Sequence, residues 1–426
     1  MIETIKNAWK IPDLRRKLLF VVFALVIFRF GYAIYVPYVD TKALADVFKQ
    51  YSDTLLGYFN TLSGGGFSQA SIFALSVYPY INSSIIMQLL QVAIPALERM
   101  VKDGGEEGRK KLASITRYVT IALSLLMGWT YYIMLRTSGV LTRTDLWSAI
   151  VIILTFTAGS SFIMWLGEQI NSKGVGNGIS LILFASIVSR GPSAVMSIIN
   201  GLKSGSMNVI SVIVILVVAV AMIAFIVFIT NAERRIPIQY AKRVVGRKMY
   251  GGQSTHLPMK VNMSGVMPVI FASSIVTFPG TIIQFLNPEE GSFWSNFGKA
   301  FSQGSLAYII VYALLIVGFA YFYATIQFNP IEVSNNLKRN GGFIPGFRPG
   351  KPTTDFIAKV LNKITLMGAL FLGIVAILPL IMSNIKGLGG LAIGGTSVLI
   401  LVGVALETVK QVEAQMLMRH YKGFLE

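Results

Sequence analysis

The uncharged stretch Thr54–Tyr80 reads TLLGYFNTLSGGGFSQASIFALSVYPY and continues without a charged side chain to Leu97. The whole interval, 54–97, has 44 residues, whereas a bilayer core is crossed by about 20 helical residues. It is therefore too long for one straight span. Gly64-Gly65-Gly66 divides it, because each glycine costs about 1 kcal/mol in a helix interior.

The segment before these glycines, Thr54–Ser63, is roughly 15 Å long as a helix and cannot cross a bilayer. Two interpretations stay open for it: a re-entrant plug that folds back from the outer side, or an ordinary helix at the membrane interface. Irregular backbone at membrane depth is tolerated only inside protein or beside a water-filled cavity. The segment after the glycines, Ala70–Ala96, is long enough to span.

The composition is that of a membrane protein. Hydrophobic residues make up 54% of the 426 residues and charged residues 13%, about half the usual share in soluble domains. The bilayer is therefore the expected solvent. Cysteine is absent, and His256 and His420 are the two histidines. This excludes disulfides and a Cys- or His-rich metal site, and we expect no metal and no cofactor.

The fold class predicted from these intervals is an all-α polytopic membrane protein with ten transmembrane helices. Basic residues between Lys6 and Lys17 precede the first apolar run, which predicts a cytoplasmic N-terminus. No small-residue cleavage site follows this run, so we expect the first span to be retained. The predicted spans are 18–39, 54–97, 118–135, 146–167, 174–189, 204–232, 261–288, 300–331, 364–385 and 387–406.

The distribution of basic residues supports this topology. Of the 37 Lys and Arg residues, 28 fall on the predicted cytoplasmic side and 8 on the other, as the positive-inside rule requires. An even number of spans places both termini in the cytoplasm. Arg29 interrupts the first span, and we expect it to snorkel or to face another helix, with no assigned function.

Two similar segments occur in the second and seventh spans. Pro79–Ile85 reads PYINSSI and Pro268–Ile275 reads PVIFASSI. Because five spans is an odd number, a five-helix repeat would place the two halves, 1–200 and 201–426, in opposite orientations. Inverted repeats place a transport pathway at their interface. We predict such halves, with the plug in the first of them.

The spans favour a passive channel over other classes. They nearly lack Asp, Glu, Lys and Arg; Glu168 and Glu407 lie at predicted cytoplasmic ends, which argues against ion-coupled transport. GxSxG, HExxH and Walker A patterns are missing, so no catalytic residue and no enzyme is expected. A pathway lined by aliphatic side chains forms no hydrogen bonds with a long cargo of mixed chemistry. Such a pathway closes when water leaves it. An inverted-repeat solute transporter is the alternative.

Two long cytoplasmic loops are predicted, 231–262 and 329–354. In the first, Arg234–Tyr240 alternates polar and apolar side chains, which predicts a β-hairpin. The second contains NGGFIPGFRPGKPT from Asn340 to Thr353, whose glycines and prolines build stiff turns with Arg348 at the tip. An exposed basic tip suits an acidic partner or RNA phosphates.

The chain resembles the SecY family of protein-translocation channels over essentially its whole length. The motifs that carry the resemblance are SGGGFSQASIFALSVYPYINSSIIMQLL, MWLGEQI with GVGNGIS, YAKR with QSTHLPMKVNMSGVMPVIFASSI, FNP with NNLK, and GGFIPGFRPG. The resemblance implies a central pore-forming subunit that conducts unfolded preproteins bearing signal peptides across the cytoplasmic membrane and releases membrane segments laterally into lipid. It also implies the partners SecE, SecG, the SecA ATPase and the ribosome, and no DNA.

The resemblance further implies roles for individual residues. A pore ring falls on the aliphatic residues Val77, Ile81, Ile179, Leu183, Ile270 and Ile400. The plug, about 54–66, includes Leu55, Leu56, Tyr58, Phe59, Leu62, Gly64, Gly65 and Gly66. The lateral gate, where signal sequences dock, includes Asn82, Gln88 and Phe278. The contacts with SecA or the ribosome match Arg243, Arg247, Lys248 and Arg348. Asn82 and Gln88, as polar residues within apolar spans, also fit hydrogen bonds between helices.

Overall fold

The structure, a computed structural model, describes residues 2–50, 60, 63–205, 208–240, 243–245, 248–250, 254–286, 292–301, 305–383 and 395–422. The chain forms two compact units. The first contains Met1–Met207, Thr277–Gln303 and Val404–Glu426, and the second contains Asn208–Val276 and Gly304–Gly403. The division into inverted halves at 1–200 and 201–426 remains a prediction.

Helices dominate the described residues. Those before the first predicted loop are α1 Ile2–Trp9, α2 Pro12–Gly31, α3 Thr41–Gln50, α4 Tyr78–Ala93, α5 Pro95–Asp103, α6 Gly105–Thr137, α7 Leu146–Lys173, α8 Gly178–Val188, α9 Gly191–Lys203 and α10 Val209–Asn231. Those after it are α11 Met267–Leu286, α12 Phe293–Ala300, α13 Leu306–Gln327, α14 Pro330–Arg339, α15 Lys351–Ser383 and α16 Gly395–Lys422. The strands are β1 Glu233–Tyr240, β2 Arg243–Val245, β3 Lys248–Tyr250, β4 Ser254–Lys260 and β5 Gly342–Phe343.

Each of the ten predicted spans overlaps one of these helices. Within the described residues, six helical segments are long and apolar enough to cross a bilayer, or seven if the bent pair α4 and α5 counts as one. The count of ten spans therefore stays a prediction. The six segments are Gly105–Thr137, Leu146–Lys173, Gly178–Lys203, Val209–Asn231, Leu306–Arg339 and Lys351–Ile381.

Two predicted span boundaries are wrong. Helix α2, which contains the first predicted span, ends at Gly31 rather than continuing to Val39, because residues 34–36 leave the helix and pair with 70–72. Arg29 consequently lies in the last turn of α2 and not in mid-span. The second span was predicted to begin at Ala70, but turns run from Ser63 to Val77 and the helix begins at Tyr78.

The bend between α4 and α5 follows from a proline. Pro95 opens α5, which leaves the direction of α4 by 96°, because proline has no N–H to continue the ladder of the preceding helix and restricts the residue before it. Ile94 is accordingly extended, with φ −110° and ψ 108°. The turn keeps α5 beside the start of α6, where a Cβ at Gly108 would lie 1.8 Å from the Met100 carbonyl oxygen.

Helices of the first unit pack through small and hydroxyl-bearing residues. Ser124 and Gly128 of α6 and Ser160 of α7 are buried, and a Cβ at Gly128 would lie 3.4 Å from the Ile153 carbonyl oxygen. Within lipid the hydrophobic effect contributes little to helix association, so van der Waals packing and hydrogen bonds stabilise the helix contacts. The buried aromatic rings of this contact are Tyr131 and Phe156, with centroids 4.9 Å apart.

The two long loops of the second unit fold together. Strand β1 pairs antiparallel with β4, with Glu233 opposite Lys260 and Gln239 opposite Ser254, which confirms the predicted hairpin. β1 also pairs with β5 from the other loop, giving the order β4-β1-β5. The buried residues between this sheet, α14 and the start of α15 are Ile236, Ile238, Met259, Leu337, Ile344, Ile357, Leu361 and Ile364.

Candidate functional site

Four of the six predicted ring residues lie in the first unit, and all four are buried. Val77 precedes α4 and Ile81 lies in its first turn, at 1% and 7% exposure. Ile179 and Leu183 lie on successive turns of α8, at 8% and 3% exposure. Residues four apart lie on the same face of a helix. Ile179 and Leu183 therefore lie on one face of α8.

The start of α8 is fixed by two asparagines. Asn177 caps the helix, and its Oδ1 accepts hydrogen bonds from the backbone N–H of Ile179 at 3.1 Å and of Ser180 at 3.3 Å. Asn171 Oδ1 accepts the N–H of Gly178 at 2.7 Å. These are donors that a helix N-terminus leaves without an intrahelical partner. The caps therefore fix the turn that places Ile179.

Two glycines let α8 approach α7 closely. A Cβ at Gly178 would lie 2.0 Å from the Gly167 carbonyl oxygen, and a Cβ at Gly167 would lie 2.6 Å from Ile179 Cδ1. The backbone oxygen leaves no room for a side chain at Gly178, whereas a side chain at Gly167 would have to displace the end of the Ile179 side chain. The position of Ile179 thus depends on α7.

We expect Gly178→Ala to lower the thermal stability of the purified chain and to displace Ile179. The added methyl group meets a backbone oxygen, and overpacking of this kind costs about 1–3 kcal/mol. Gly128→Ala is the matched control, because its Cβ would make ordinary contact at 3.4 Å and alanine is favoured over glycine in helices. Equal melting temperatures for the two variants in the same detergent would contradict this interpretation of the glycine contact.

The approach to Val77 is held in a strained conformation. Ala70 and Ser76 have positive φ values of 45° and 50°, which non-glycine residues adopt at a cost of about 1–3 kcal/mol. Ser160 Oγ donates to the Ser76 carbonyl oxygen at 3.4 Å. A Cβ at Gly159 would lie 1.9 Å from the Ile72 carbonyl oxygen. The packing of this segment on α7 maintains the strained backbone.

The three consecutive glycines lie in turns and not in a helix, in agreement with the predicted break. Gly64 and Gly65 have φ values of 67° and 90°, which glycine adopts without a steric penalty. The Gly65 N–H donates to the Asn60 carbonyl oxygen at 2.8 Å, and the Ser71 N–H donates to the Gly66 carbonyl oxygen at 3.0 Å. The remaining predicted plug residues, Leu55, Leu56, Tyr58, Phe59 and Leu62, lie outside the described residues, so the plug stays a prediction.

The predicted gate residues of α4 are half-buried. Gln88 Nε2 donates to Ser84 Oγ at 3.1 Å, within the same helix. The bond that joins α4 to α6 comes from Ser83, whose hydroxyl donates to the Thr116 carbonyl oxygen at 2.7 Å. Sequence reasoning assigned the inter-helix role to Asn82 and Gln88, and missed Ser83.

Two ring residues and one gate residue were predicted beyond residue 260. Ile270 on α11 is half-buried, and Ile400 on α16 is 3% exposed. Phe278 lies on α11, but its side chain lies outside the described residues. All six ring positions therefore occur on helices or, for Val77, at a helix start.

An ion pair joins α6 to α7 beside this region. Arg117 Nε donates to Glu168 Oε1 at 2.8 Å, and Glu168 follows Gly167, the glycine against which Ile179 packs. The arginine side chain is half exposed, so the pair contributes about 0–1 kcal/mol to stability.

The basic loop tip is rigid and exposed, as predicted. Thr353 Oγ1 donates to the Arg348 carbonyl oxygen at 2.8 Å, and Ser334 Oγ donates to the Gly350 carbonyl oxygen at 3.0 Å. The rings of Phe347 and Phe356 have centroids 4.2 Å apart. The Arg348 side chain itself is exposed. The backbone of the tip is thus fixed, and its guanidinium is available.

Two of the other predicted contact residues lie on short paired strands of the first loop. Arg243 lies in β2 and Lys248 in β3, which pair with each other. Their side chains, and all of Arg247, lie outside the described residues. Their role in binding a partner stays a prediction.

Comparison with known proteins identifies the family of the chain. The SecY family model matches residues 71–409. The chain belongs to the SecY family. Among SecY relatives, "Protein translocase subunit SecY" of Thermotoga maritima is 42% identical over 440 residues, covering 100% of this chain and 98% of that protein. The Halalkalibacterium halodurans protein of the same name is 44% identical, with 100% of both covered.

Solved structures share the SecY fold. "The structure of a protein conducting channel" matches with a TM-score of 0.66 at 19% identity, covering 97% of both chains. A structure of Sec61 in the canine ribosome-channel complex matches with a TM-score of 0.62 at 18% identity, also covering 97% of both chains. The predicted family and helical membrane fold are thereby confirmed.

Proposed function

We propose that the chain is the central pore-forming subunit of a protein translocase, a passive channel that conducts unfolded preproteins and is not an enzyme. The observation that carries the proposal is membership of the SecY family over residues 71–409. Relatives that align with all of the chain bear the name protein translocase subunit. Several apolar helices make the protein multi-pass. We place it in the cytoplasmic membrane, with both termini in the cytoplasm.

The proposed pore ring explains how one channel can pass chemically varied segments. Its six residues are all aliphatic, so the ring offers no hydrogen bond that would retain a passing side chain. An apolar constriction also loses water when it is empty and then blocks ions. The four ring residues of the first unit are buried, which supports a resting seal.

We further propose that the segment 54–66 is a plug and that Asn82, Gln88 and Phe278 belong to a lateral gate. The glycine turn, with its backbone hydrogen bonds, would form the C-terminal end of the proposed plug. The half-buried amide groups of Asn82 and Gln88 suit a gate, because polar groups in an apolar setting form contacts that a binding segment can replace. A signal peptide would open the gate towards lipid.

The energy for movement comes from outside the chain in this proposal. The SecA ATPase or the ribosome would bind the loops at Arg243, Arg247, Lys248 and Arg348, while SecE and SecG would be membrane partners. The fixed backbone and free guanidinium of Arg348 support such a role, because a rigid charged tip loses little entropy on binding an acidic surface or phosphate.

Reconstitution tests the proposed function. The chain and its co-purifying membrane subunits are placed in liposomes with SecA and ATP, and we expect a signal-peptide-bearing preprotein to become protease-protected inside. A preprotein without its signal peptide is the control. Saturable uptake of a small solute by the chain alone, without preprotein protection, would reject the proposal in favour of a transporter.

A further inference from the structure

An apolar groove lies between three helices of the second unit. Its volume is about 570 Å³, within the range of roughly 300–1,000 Å³ that is typical of ligand pockets. It is lined by Val218 of α10, by Ala313 and Val317 of α13, and by seven residues of α15 between Ala369 and Ile381. All three helices lie in segments that are long and apolar enough to cross a bilayer. The groove therefore lies at the depth of the membrane hydrocarbon.

Small buried residues of α15 form the floor of the groove. Ala369 and Gly373 are four residues apart, so they lie on the same face of the helix, and both are buried. A Cβ at Gly373 would meet nothing within 4 Å, whereas a Cβ at Gly368 would lie 2.5 Å from the Val261 carbonyl oxygen. Protein interiors have few voids larger than a water molecule. The space above Gly373 is thus an unusual gap in the packing of the protein itself.

Helix α10 packs on α15 near its own C-terminal end. The rings of Phe225 and Phe371 have centroids 5.1 Å apart in an edge-to-face arrangement. Ile226 is the one residue of the described α10 that is buried. Val218, two turns earlier on α10, lines the groove instead. The groove therefore separates the middle of α10 from α15, and whatever fills the groove supports this part of α10.

The length of the groove indicates what fills it. Ala369 and Ile381, its first and last residues on α15, are about 18 Å apart along a helix axis. The hydrocarbon core of a bilayer is about 30 Å thick, so each leaflet contributes about 15 Å. A transmembrane helix of a partner needs about 20 residues to cross and would contact a groove that runs through both leaflets. The observed groove instead matches the acyl layer of one leaflet.

The charges of α15 indicate which leaflet this is. Lys359 and Lys363 are exposed in the first half of the helix, and lysine is enriched on the cytoplasmic side of membrane helices. The lining of the groove begins at Ala369, about 9 Å beyond Lys363, and continues almost to Ser383, where α15 ends. The groove therefore lies in the leaflet remote from the lysines, which the predicted topology makes the outer one.

We propose that the groove is a lipid site that takes one acyl chain of an outer-leaflet phospholipid. Its described lining residues carry no polar side chain, so the groove binds the hydrocarbon chain and does not select a headgroup. The bound chain fills the space above Gly373 and supports α10, which ends at Asn231 just before β1. The lipid is thereby a structural component of the second unit. Its binding does not depend on the proposed channel function.

A photoreactive lipid tests the site directly. The probe is a phosphatidylcholine with a diazirine on one acyl chain, reconstituted with the purified complex and activated by light. Mass spectrometry should find several-fold more label on Ala313 than on Leu314, which lies at the same depth on α13 but is 67% exposed. Equal labelling of the two residues would indicate ordinary surrounding lipid and would overturn the proposal. Absence of label from the groove, with crosslinks to a partner subunit there, would overturn it in favour of a partner helix.

Gly373→Leu should block the site by filling it with a side chain of the protein. Gly318→Leu is the matched control, because a Cβ at Gly318 also meets nothing within 4 Å, but this residue is exposed on α13 outside the groove. Both substitutions gain the same helix propensity, so a difference between them reports the groove. We expect Gly373→Leu to lose the preferential labelling of Ala313 and Gly318→Leu to keep it. Preferential labelling that persists in Gly373→Leu would overturn the proposal.

Thermal unfolding in detergent provides a second measurement. Added phosphatidylcholine should raise the melting temperature of the wild type by about 5 °C, because a ligand that binds the folded state stabilises it. Gly373→Leu should lose most of this rise, and Gly318→Leu should keep it; equal rises in the two variants would contradict the site. If Gly373→Leu does not fold, Ala313→Leu fills the groove from α13 and is read in the same way. Failure of the complex to protect a preprotein would reject the proposed function and leave these lipid measurements unaffected.

Discussion

We expect the resting channel to conduct ions when Ile81 and Ile179 are both replaced with serine. Two hydroxyl groups let water remain in a constriction that otherwise empties, and each replacement removes apolar surface worth about 1.5–3 kcal/mol of transfer free energy. A change of about 3 kcal/mol in the wetting equilibrium corresponds to roughly a hundredfold rise in open, hydrated channels. Planar-bilayer recording of the purified complex without substrate measures this conductance.

Ile86→Ser is the matched control for the ring variant. Ile86 lies on α4 with Ile81 but is 38% exposed, outside the predicted ring, so its conductance should equal wild type. Melting temperatures of both variants separate wetting from unfolding. A double variant that folds and stays electrically silent contradicts the ring assignment for both positions.

We expect Arg348→Glu, which reverses the charge of the loop tip, to impair SecA-driven translocation strongly while the channel still assembles. Losing one partner of a close, desolvated charge pair costs about 2–5 kcal/mol, which corresponds to at least roughly a thirtyfold loss of affinity. The backbone of the tip should remain in place, because Thr353 binds the carbonyl oxygen of Arg348 and not its side chain. SecA-dependent protection of a preprotein in vesicles measures the loss.

Arg339→Glu provides the control for this reversal. Arg339 is exposed at the end of α14 in the same unit, and the guanidinium contacts Asn336, so the variant changes net charge equally without altering the tip. Its translocation should be close to wild type. Equal losses in both variants would indicate a general charge effect and remove the special role of Arg348.

Much of the fold could be predicted because it follows from the placement of charge. Uncharged intervals located helices at all ten predicted positions, and alternation in Arg234–Tyr240 predicted the hairpin. The residues at which the helices end were predicted less well. Apolar residues continue past Gly31, and only the pairing of 34–36 with 70–72 ends α2 there, a tertiary contact that hydropathy does not report.

Some residues of the candidate site were predicted and others were not, because tertiary packing determines which side chains meet. Aliphatic residues at ring positions were identified by motif resemblance, since isoleucine in an apolar span carries no local signal of its own. The hydrogen bond from Arg29 Nη1 to Ser189 Oγ was not predicted, because the two residues lie far apart in sequence. Ser83 was missed because a serine in a helix usually bonds within that helix, and only the packing of α6 reveals its partner.

The pairing of β5 with β1 ties together two loops that lie about a hundred residues apart in the chain. Gln239 is opposite Phe343 and Tyr240 is opposite Gly342, so an insertion in either loop shifts the register of the shared sheet. A change of length in one loop must then be matched by a change in the other. Chimeras that take only one of the loops from a distant relative should have mismatched pairing between β1 and β5, and the proposed docking of SecA or the ribosome on these loops should weaken.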